Sequence, residues 1–366
     1  MSTEIIRTAF DSVQRGLGCE FMDWEGWQWP NHFGDPVAEH RAVRENVGVW
    51  DESPLRKWEF RGPDAIRAAD RIFTNDMAGL EIGQVRYAPF CDEDGKMVGD
   101  GTVFKFGDEH AWVVTALDSD LEHFEQVVGD LSVQIEPITP VLPHVQLQGP
   151  RSRDLLASLC DADVHALGYF RFFPEQVRVG GVPVWVSRTG YSGELGYEIF
   201  CRPENAAGLW STLTSAGAAP YGLAAVETLR IESGLIFIGY DYLQHETGPF
   251  DVSLDKVVRL DTGDFHGKRA LGEIAKAPPR RMVTLAVEGP EVPEYGAAVT
   301  SAGEPAGTLT SPCESPTLEQ VIGLAVLETQ FTERGARLDL AVGEGTASAT
   351  VEPLPIYDPD KRRPRS

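Results

Sequence analysis

Most of the short motifs that identify common enzyme classes are missing from this sequence. It contains no phosphate-binding loop of the GxxxxGK(S/T) type, no GxGxxG segment after a predicted strand and no HExxH array. The segment GYSGE at 190–194 departs from the GxSxG nucleophile motif, because its second glycine comes one position early. These absences argue against phosphoryl transfer, serine hydrolysis and zinc chemistry, and no metal site is predicted.

Cysteine, long apolar runs and targeting signals are equally scarce. The five cysteines are odd in number and far apart, without a CxxC pair, which predicts reduced and mostly packed thiols. The first residues, MSTEIIRTAFDSV, lack the basic start and apolar stretch of a signal peptide. The longest apolar runs, such as residues 234–239, are too short to cross a bilayer. We therefore expect a cytoplasmic protein with no membrane partner.

Positive charge is also in short supply. Lys and Arg number 32 against 56 Asp and Glu, so the net charge is −24, and the basic cluster KRRPRS at 361–366 is interpreted as a solvated end. Nucleic-acid binding relies on a positive footprint that neutralises phosphates, so no nucleic-acid partner is expected. The length of 366 residues and the 42% hydrophobic content predict an ordered protein of two or three domains.

Residues 187–200, SRTGYSGELGYEIF, combine strand-forming residues with three glycines. Residues 184–186 and 197–201 predict two strands joined by a turn over 190–196. Because side chains alternate along a strand, Glu198 should share a face with Phe200 and point into a dry environment. A carboxylate shielded from water needs a partner or a ligand. Glu198 is therefore a candidate binding residue.

Two segments of the chain repeat one pattern. WEFRGPDAIR at 58–67 and VQLQGPRSRD at 145–154 each predict a short strand, a Gly-Pro pair and a helix with proline in its first turn. Two copies favour two related α+β units over an alternating parallel sheet, with chance similarity as the alternative. After the linker KAPPRR at 276–281, β-type runs separated by Gly and Pro predict a separate all-β domain.

Three further features are candidates for ligand binding, each with a structural alternative. Asp100 lies between two glycines in a predicted strand, where it can orient a ligand amine or serve as a plain turn aspartate. The tryptophan cluster at 24–30 forms either a core or a ligand platform. Arg230, in the helix predicted over 222–234, either pairs with a carboxylate of the protein or grips a ligand carboxylate.

Seven segments together form a known pattern. They are EHRAVRENVGVWDES (39–53), FTNDM (73–77), DGKMVGDGTVF (94–104), LQGPRS (147–152), SRTGYSGELGYEIF (187–200), ETLRIESGLIFIGYD (227–241) and TSPCESPTLEQVIGLAVL (310–327). Through them the chain resembles the glycine-cleavage aminomethyltransferase (T-protein) family of tetrahydrofolate-dependent one-carbon transferases over nearly its whole length. The resemblance implies three domains arranged like a cloverleaf around a central folate channel. Their expected bounds are residues 1–50 with 140–235, residues 51–139 with 236–277, and residues 278–366.

The resemblance also implies a ligand, tetrahydrofolate, and a set of site residues. Glu198 would accept the N–H donors of the pterin edge, Tyr191 would pack against the folate, and Arg230 would lie at the same site. Asp100 would stand beside the reactive folate nitrogen N5, orienting it and accepting or relaying a proton. Alignment of the reactants would supply the rest of catalysis. The candidate residues on the donor side are Thr115, His245 and Tyr87.

The donor side departs from the family pattern. Residues 53–57 read SPLRK where SHMGK is usual, residues 99–101 read GDG where a paired aspartate is usual, and residues 113–116 read VVTA where VVNA is usual. We therefore expect transfer of a methyl or similar one-carbon group from a small methylated donor to N5, as in a demethylase.

Two alternatives to a demethylase remain. The first is glycine-cleavage aminomethyltransferase activity on a lipoyl carrier protein. Such carriers are generally acidic, so this chain would repel them at long range. The second is a folate-binding protein without catalytic activity. That branch carries a KGCYxGQE signature, and residues 239–253 contain no cysteine.

Overall fold

The structure, a computed structural model, describes residues 5–366 and is built from strands and helices in irregular order. The strands are β1 (Ile6–Arg7), β2 (Glu20–Trp24), β3 (Trp27–His32), β4 (Gly48–Asp51), β5 (Arg56–Arg61), β6 (Val85–Cys91), β7 (Met97–Gly107), β8 (His110–Thr115), β9 (Gln134–Pro137), β10 (His144–Gln148), β11 (Val177–Val179), β12 (Val182–Ser187), β13 (Gly196–Cys201), β14 (Ala219–Pro220), β15 (Arg280–Val287), β16 (Ala298–Ser301), β17 (Glu304–Ser315), β18 (Gln320–Glu328), β19 (Arg337–Val342) and β20 (Gly345–Glu352). The α-helices are α1 (Asp11–Gly16), α2 (Pro36–Glu45), α3 (Ala65–Ile72), α4 (Asp120–Val128), α5 (Ser152–Leu159), α6 (Ala206–Ser215), α7 (Leu223–Glu232) and α8 (Lys268–Ile274).

The strands form four sheets. A three-stranded sheet has the order β1-β3-β2, a six-stranded sheet the order β11-β12-β13-β10-β4-β14, and a five-stranded sheet the order β6-β7-β8-β5-β9. The last six strands close into a barrel of order β15-β18-β17-β16-β19-β20. The predicted α+β class with a C-terminal barrel is therefore confirmed. The division into residues 1–50 with 140–235, 51–139 with 236–277, and 278–366 stays a proposal.

The two Gly-Pro segments have the same local structure. Gly62 separates β5 from α3 with φ +127°, and Gly149 separates β10 from α5 with φ +129°. A Cβ atom on Gly62 would lie 2.6 Å from the carbonyl oxygen of Ser132, and one on Gly149 would lie 2.4 Å from that of Asn46. Only glycine fits both the torsion angle and the contact. The prolines lie in the turn before each helix rather than in its first turn.

Two predicted helices are shorter than the sequence indicates. The sequence also predicts a helix over residues 203–219. This segment begins as the 3-10 turn Pro203–Asn205, continues as α6, and is followed by Gly217 at φ +107°. The helix expected over 222–234 is α7, with Gly234 at φ +61° just after its end. Glycine after a helix end tolerates the left-handed conformation that stops the helix. Helix α8 has no counterpart among the expected elements.

The C-terminal segment 361–366 is mostly exposed, as the sequence indicated, but contacts with the rest of the protein hold it in place. Arg363 donates to the Glu194 carboxylate at 3.3 Å, and Arg153 and Arg188 donate to the carbonyl oxygen of Ser366. The segment is thereby held against the glycine-containing turn that precedes β13.

All five cysteines lie within the described residues and are free thiols, and three of them are buried. No helix within residues 5–366 has both the length and the apolar character needed to span a bilayer.

Candidate functional site

A cavity of about 390 Å³ is lined by residues of both α+β sheets. The six-stranded sheet contributes side chains from β4, β10 and β13, the five-stranded sheet contributes β6, β7 and β8, and the loop after α7 supplies a further wall. Five of the seven residues expected at the site line this cavity. They are Asp100, Glu198, Tyr191, Thr115 and Tyr87.

Asp100 lies within strand β7 rather than in a turn. One carboxylate oxygen accepts a hydrogen bond from the Tyr87 hydroxyl at 2.8 Å, and the other accepts one from the Tyr242 hydroxyl. Burial raises the pKa of the Asp100 carboxyl, and the two phenol donors act in the opposite direction. A carboxylate oxygen has room for a second donor, so Asp100 can still accept a hydrogen bond from a ligand in the cavity.

The two glycines beside Asp100 allow neighbouring groups to approach the strand closely. A Cβ atom on Gly101 would lie 2.3 Å from the carbonyl oxygen of Val114 on β8, and one on Gly99 would lie 2.4 Å from the Phe90 ring. The strand glycines therefore mark a close approach of neighbouring groups to the backbone. Larger residues would push β7 away from its neighbours and move Asp100.

Glu198 shares its region of the cavity with a second carboxylate, that of Glu52. Glu198 on β13 pairs across the sheet with Gln146 on β10. The Gln146 side-chain amide donates to Glu52 at 2.5 Å, and His144 Nε2 lies 3.1 Å from the same carboxylate. Nearby, the fully buried Lys57 ammonium donates to the carbonyl oxygen of Ser53 at 2.8 Å.

Burial changes the charge state of these groups. It raises the pKa of the Glu198 carboxyl to about 7, and it lowers the pKa of the Lys57 ammonium to about 7. Burial, reinforced by the charge of Glu198, raises the pKa of the Glu52 carboxyl well above its ordinary value. Two buried carboxylates side by side repel each other when both are ionised. At neutral pH the pair therefore keeps at least part of a proton, which makes it sensitive to the charge of any ligand.

The charge state of Glu198 predicts a pH-dependent contribution to stability. Its folded-state pKa of about 7 lies above the ordinary value of 4.5, so the folded protein holds a proton that the unfolded chain releases. Its contribution to the free energy of unfolding should therefore fall as pH rises from about 5 to 7, by at most about 1.4 kcal/mol per pH unit.

Urea denaturation at several pH values checks this expectation. As pH rises through this window, the free energy of unfolding of wild type should decrease relative to that of Glu198→Gln. The matched control is Glu204→Gln, an exposed glutamate just after β13, and its difference from wild type should not change with pH. A flat difference for Glu198→Gln would contradict the raised pKa.

Aromatic side chains form one wall of the cavity. Trp29 and Trp50 stack with ring centroids 5.0 Å apart, and Trp24 packs against Trp29 at 4.9 Å. Tyr191 donates its backbone N–H to the side-chain oxygen of Gln146 at 3.0 Å and its hydroxyl to the carbonyl oxygen of Ile236. Both Tyr191 contacts hold its ring at the cavity wall, which together with the tryptophans is aromatic and suited to a planar ligand.

The third member of the predicted tryptophan cluster, Trp27, is not among the residues that line the cavity. It is buried, with the Arg56 guanidinium 5.6 Å from its ring centroid. The core interpretation holds for Trp27 and Trp29, which are 7% and 1% exposed, while Trp24 and Trp29 also border the cavity.

Arg230 lies behind the cavity wall and not in the cavity. Its guanidinium pairs with Asp241 at 2.7 Å and Glu227 at 2.7 Å, and it also donates to Ser311 at 2.9 Å. Asp241 in turn accepts the backbone N–H of Phe237, a cavity residue, at 2.9 Å. The expectation that Arg230 contacts the ligand does not match this placement, because its donors are taken up by the protein. It supports the loop after α7 instead.

His245 does not reach the cavity either. Its side chain is 62% exposed, and Nδ1 lies 2.9 Å from the Asp92 carboxylate in the turn between β6 and β7. By contrast, Thr115 is buried at the cavity and its hydroxyl oxygen accepts the indole N–H of Trp58 at 2.9 Å. Of the candidate donor-side residues, Thr115 and Tyr87 therefore lie at the cavity and His245 does not.

Several cavity residues were not among the sequence candidates. They are Glu52, His144, Gln146, Trp50 and Phe237. The segment HVQLQ at 144–148 did carry a signal, since it places the polar residues His144, Gln146 and Gln148 in one short strand, and all of that strand is buried. Glu52 gave none, because nothing local distinguishes it from an exposed glutamate after a short strand.

Comparison with known proteins shows similarity along nearly the whole chain. The family model described as the GCVT N-terminal domain matches residues 10–262, and the Glycine cleavage T-protein C-terminal barrel domain matches residues 280–358. The aminomethyltransferase of Rubrobacter xylanophilus is 38% identical over 96% of this chain and 94% of that protein. The aminomethyltransferase of Streptomyces coelicolor is 36% identical over 98% of this chain and all of that protein (100%).

Two further similarities bear on the fold and the reaction. The trimethylamine-oxide aldolase of Ruegeria pomeroyi is 36% identical over 94% of this chain, which corresponds to 46% of that protein. The crystal structure of glycine cleavage system aminomethyltransferase T from Bartonella henselae has a TM-score of 0.87, with 23% identity over 97% of this chain and 98% of the other. At that level of identity the structural likeness concerns the fold alone.

Proposed function

Because the chain belongs to the glycine-cleavage T-protein family of one-carbon transferases, we propose that it is a tetrahydrofolate-dependent aminomethyltransferase. The observation that carries this proposal is full-length similarity to aminomethyltransferases, combined with a cavity that holds Asp100 and Glu198. The donor in this proposal is an aminomethyl group on a lipoyl carrier protein. The relatives support this alternative better than the small methylated donor that the donor-side departures favoured.

The cavity lining fits tetrahydrofolate by its chemistry. A pterin is planar and presents adjacent N–H donors on its pyrimidine edge, so it needs a flat apolar wall and a carboxylate acceptor. The aromatic part of the lining, which includes the partly exposed Trp24 and Tyr191, and the Glu198 carboxylate provide these two features. When bound, tetrahydrofolate supplies the N5 amine that takes up the one-carbon unit.

The roles of the residues follow from their contacts. Glu198 accepts the donors of the pterin edge, and Tyr191 packs beside the ring on the loop that Gln146 holds. Asp100 orients the reactive amine and accepts a proton from it, with its carboxylate fixed by Tyr87 and Tyr242. Burial and the neighbouring carboxylate raise the pKa of both phenols well above the ordinary value, so they remain protonated donors at neutral pH.

The test is single-turnover mass spectrometry of tetrahydrofolate with a panel of donors. The panel holds aminomethyl-loaded lipoyl carrier, methylated amines, sulphonium compounds and methoxy-aromatics. We expect 5,10-methylene-tetrahydrofolate and ammonia from the loaded carrier only. Formation of 5-methyl-tetrahydrofolate from a small donor would instead establish the second candidate, a demethylase. That candidate is favoured by the departures at residues 53–57 and 113–116 and by the similarity to trimethylamine-oxide aldolase.

The Glu198→Gln variant should bind tetrahydrofolate about 10- to 100-fold more weakly, because a charge-assisted hydrogen bond contributes about 1.5–3 kcal/mol. The amide would keep one acceptor, lose the charge and place an N–H group against the N–H edge of the ligand. Equilibrium titration followed by tryptophan fluorescence measures the change, since Trp29 and Trp50 line the cavity. Glu204→Gln is the exposed control and should bind as wild type does. Unchanged affinity of Glu198→Gln would remove it from the ligand site.

A further inference from the structure

Glu52 directly follows strand β4 and lies close to Glu198 in the same sheet. The strand order β13-β10-β4 places only β10 between the two residues. On β10, Gln146 pairs with Glu198 across the sheet, and its side-chain Nε2 donates to Glu52 Oε2 at 2.5 Å. Both carboxyl groups line the cavity. A ligand in this part of the cavity therefore meets both of them.

The two oxygens of Glu52 have different surroundings. Oε2 lies 2.5 Å from Gln146 Nε2 and 3.1 Å from His144 Nε2. Burial lowers the pKa of His144 well below its ordinary value, so its ring is neutral, and Nδ1 has no hydrogen-bond partner. The ring proton is assigned to Nε2, because that tautomer donates to Oε2 and leaves no N–H unpaired. Within residues 5–366, no protein group hydrogen-bonds the other oxygen, Oε1.

Of the two carboxyl groups, Glu52 is the one that keeps its proton. Glu52 is 5% exposed, whereas Glu198 is partly exposed to the cavity. Because removal from water disfavours the charged form, the more deeply buried group holds its proton to higher pH. Burial and the charges of Glu198 and Asp51 raise the pKa of the Glu52 carboxyl well above its ordinary value, against the smaller effects of Gln146 and Lys57.

Among the described residues, no permanently charged cation pairs with Glu52. The Lys57 ammonium donates to the carbonyl oxygen of Ser53 at 2.8 Å, and burial lowers its pKa to about 7. The nearby Tyr221 phenol remains protonated, because burial raises its pKa well above the ordinary value. These groups therefore do not remove the proton from Glu52.

The contacts of Glu52 place its proton on Oε1. Oε2 already accepts two N–H groups, so the hydroxyl of the protonated carboxyl lies at the oxygen without a protein partner. A buried hydroxyl without a partner costs free energy until an acceptor reaches it. The cavity wall thus offers a hydroxyl donor at Glu52 beside a carboxylate acceptor at Glu198.

We propose that the Glu52 hydroxyl donates a hydrogen bond to the ring carbonyl oxygen of the pterin, beside the N–H groups that Glu198 accepts. This role rests on the proposed function, because a pterin must occupy the cavity for Glu52 to reach it. The pyrimidine edge of a pterin presents one acceptor and two donors in a row, and the two carboxyl groups match that order. Glu52 is thereby a specificity-determining residue, since a ligand without the carbonyl oxygen leaves a buried donor unpaired.

The first measurement is the affinity for 5-formyl-tetrahydrofolate, followed by tryptophan fluorescence. Glu52→Gln is nearly the same size and keeps a neutral N–H donor, whereas Glu52→Leu has no donor. At neutral pH, Glu52→Gln should bind within about threefold of wild type and Glu52→Leu about tenfold more weakly, the effect of one lost hydrogen bond. Glu45→Gln is the matched control and should bind as wild type does, because Glu45 is exposed at the end of α2 and does not line the cavity.

The second measurement is the infrared difference spectrum between free and ligand-bound protein. It is recorded at about pH 8, one unit above the pKa of about 7 for Glu198, so that Glu198 is mostly ionised. Wild type should show a protonated-carboxyl C=O stretch that shifts when the ligand binds, because the hydroxyl gains an acceptor. Glu52→Gln should lack this shift. The spectrum keeps the test decisive even if Glu52→Leu does not fold.

Three outcomes would contradict the role of Glu52. Binding by Glu52→Gln as weak as by Glu52→Leu would show that the charge of Glu52 matters and not its proton. Wild-type affinity in Glu52→Leu, or a wild-type spectrum without a responding protonated carboxyl, would also overturn the role. Each of these outcomes leaves the proposed function standing. Failure of wild type to bind 5-formyl-tetrahydrofolate would instead overturn the proposed function.

Discussion

The Asp100→Asn variant should turn over about 10²- to 10⁴-fold more slowly than wild type, the range for loss of a positioned acid–base group. Asparagine is nearly the same size; its amide oxygen can accept from one of the two phenols and its NH2 group can donate to the oxygen of the other, so the cavity should keep its shape. What it loses is the negative charge and the ability to take a proton. Tetrahydrofolate affinity should therefore change little, within about threefold.

Single-turnover rates measure the loss of turnover, and ligand titration measures the affinity for tetrahydrofolate. Asp94→Asn is the matched control, because Asp94 is an exposed aspartate in the turn that joins β6 and β7 and does not line the cavity. The control should retain wild-type turnover and affinity. An equal loss of turnover and affinity in Asp100→Asn would make Asp100 a structural residue.

The Arg230→Met variant should lose about 3–5 kcal/mol of the free energy of unfolding, since removing one partner of a buried ion pair leaves an uncompensated charge. Arg230 is fully buried, and its loss would leave the buried Asp241 and the partly exposed Glu227 without their guanidinium. Methionine keeps most of the side-chain volume, so the effect should come mainly from charge and not from a cavity. Urea denaturation at constant pH measures it.

The control for Arg230→Met is Arg259→Met. Arg259 pairs with Asp261 at 2.9 Å, but both side chains are exposed, at 44% and 71%. Its removal should cost less than about 1 kcal/mol, as is usual for surface pairs. A large loss of folate affinity in Arg230→Met without loss of stability would show direct ligand contact, contrary to the buried placement.

The local patterns were the reliable part of the sequence. The strand, Gly-Pro and helix repeat predicted two α+β units, and both copies have matching glycine torsion angles. The alternation around Glu198 predicted a dry environment for its carboxylate, and the glycines around Asp100 marked that residue as a candidate; both residues line the cavity. These features depend on neighbouring residues of one segment, so they are visible without knowledge of the fold.

The errors concern side chains whose partners are remote in sequence. Arg230 is taken out of the cavity by Asp241 and by Ser311, which is 81 residues away. His245 looked like a pocket residue because its segment had diverged, yet its loop turns it towards Asp92 and solvent. The C-terminal cations are exposed as expected, but nothing in their own segment indicates Glu194 as a partner of Arg363.

By itself the sequence determined the α+β class, the C-terminal barrel and the family, and it singled out two carboxylates that line the cavity, because periodicity, glycine placement and motif spacing are local properties. Only the tertiary structure decided that Glu52 and Glu198 share one region of the cavity. The Gln146 amide that contacts Glu52 is 94 residues away in the chain, and the two meet because β4 and β10 are neighbours in one sheet.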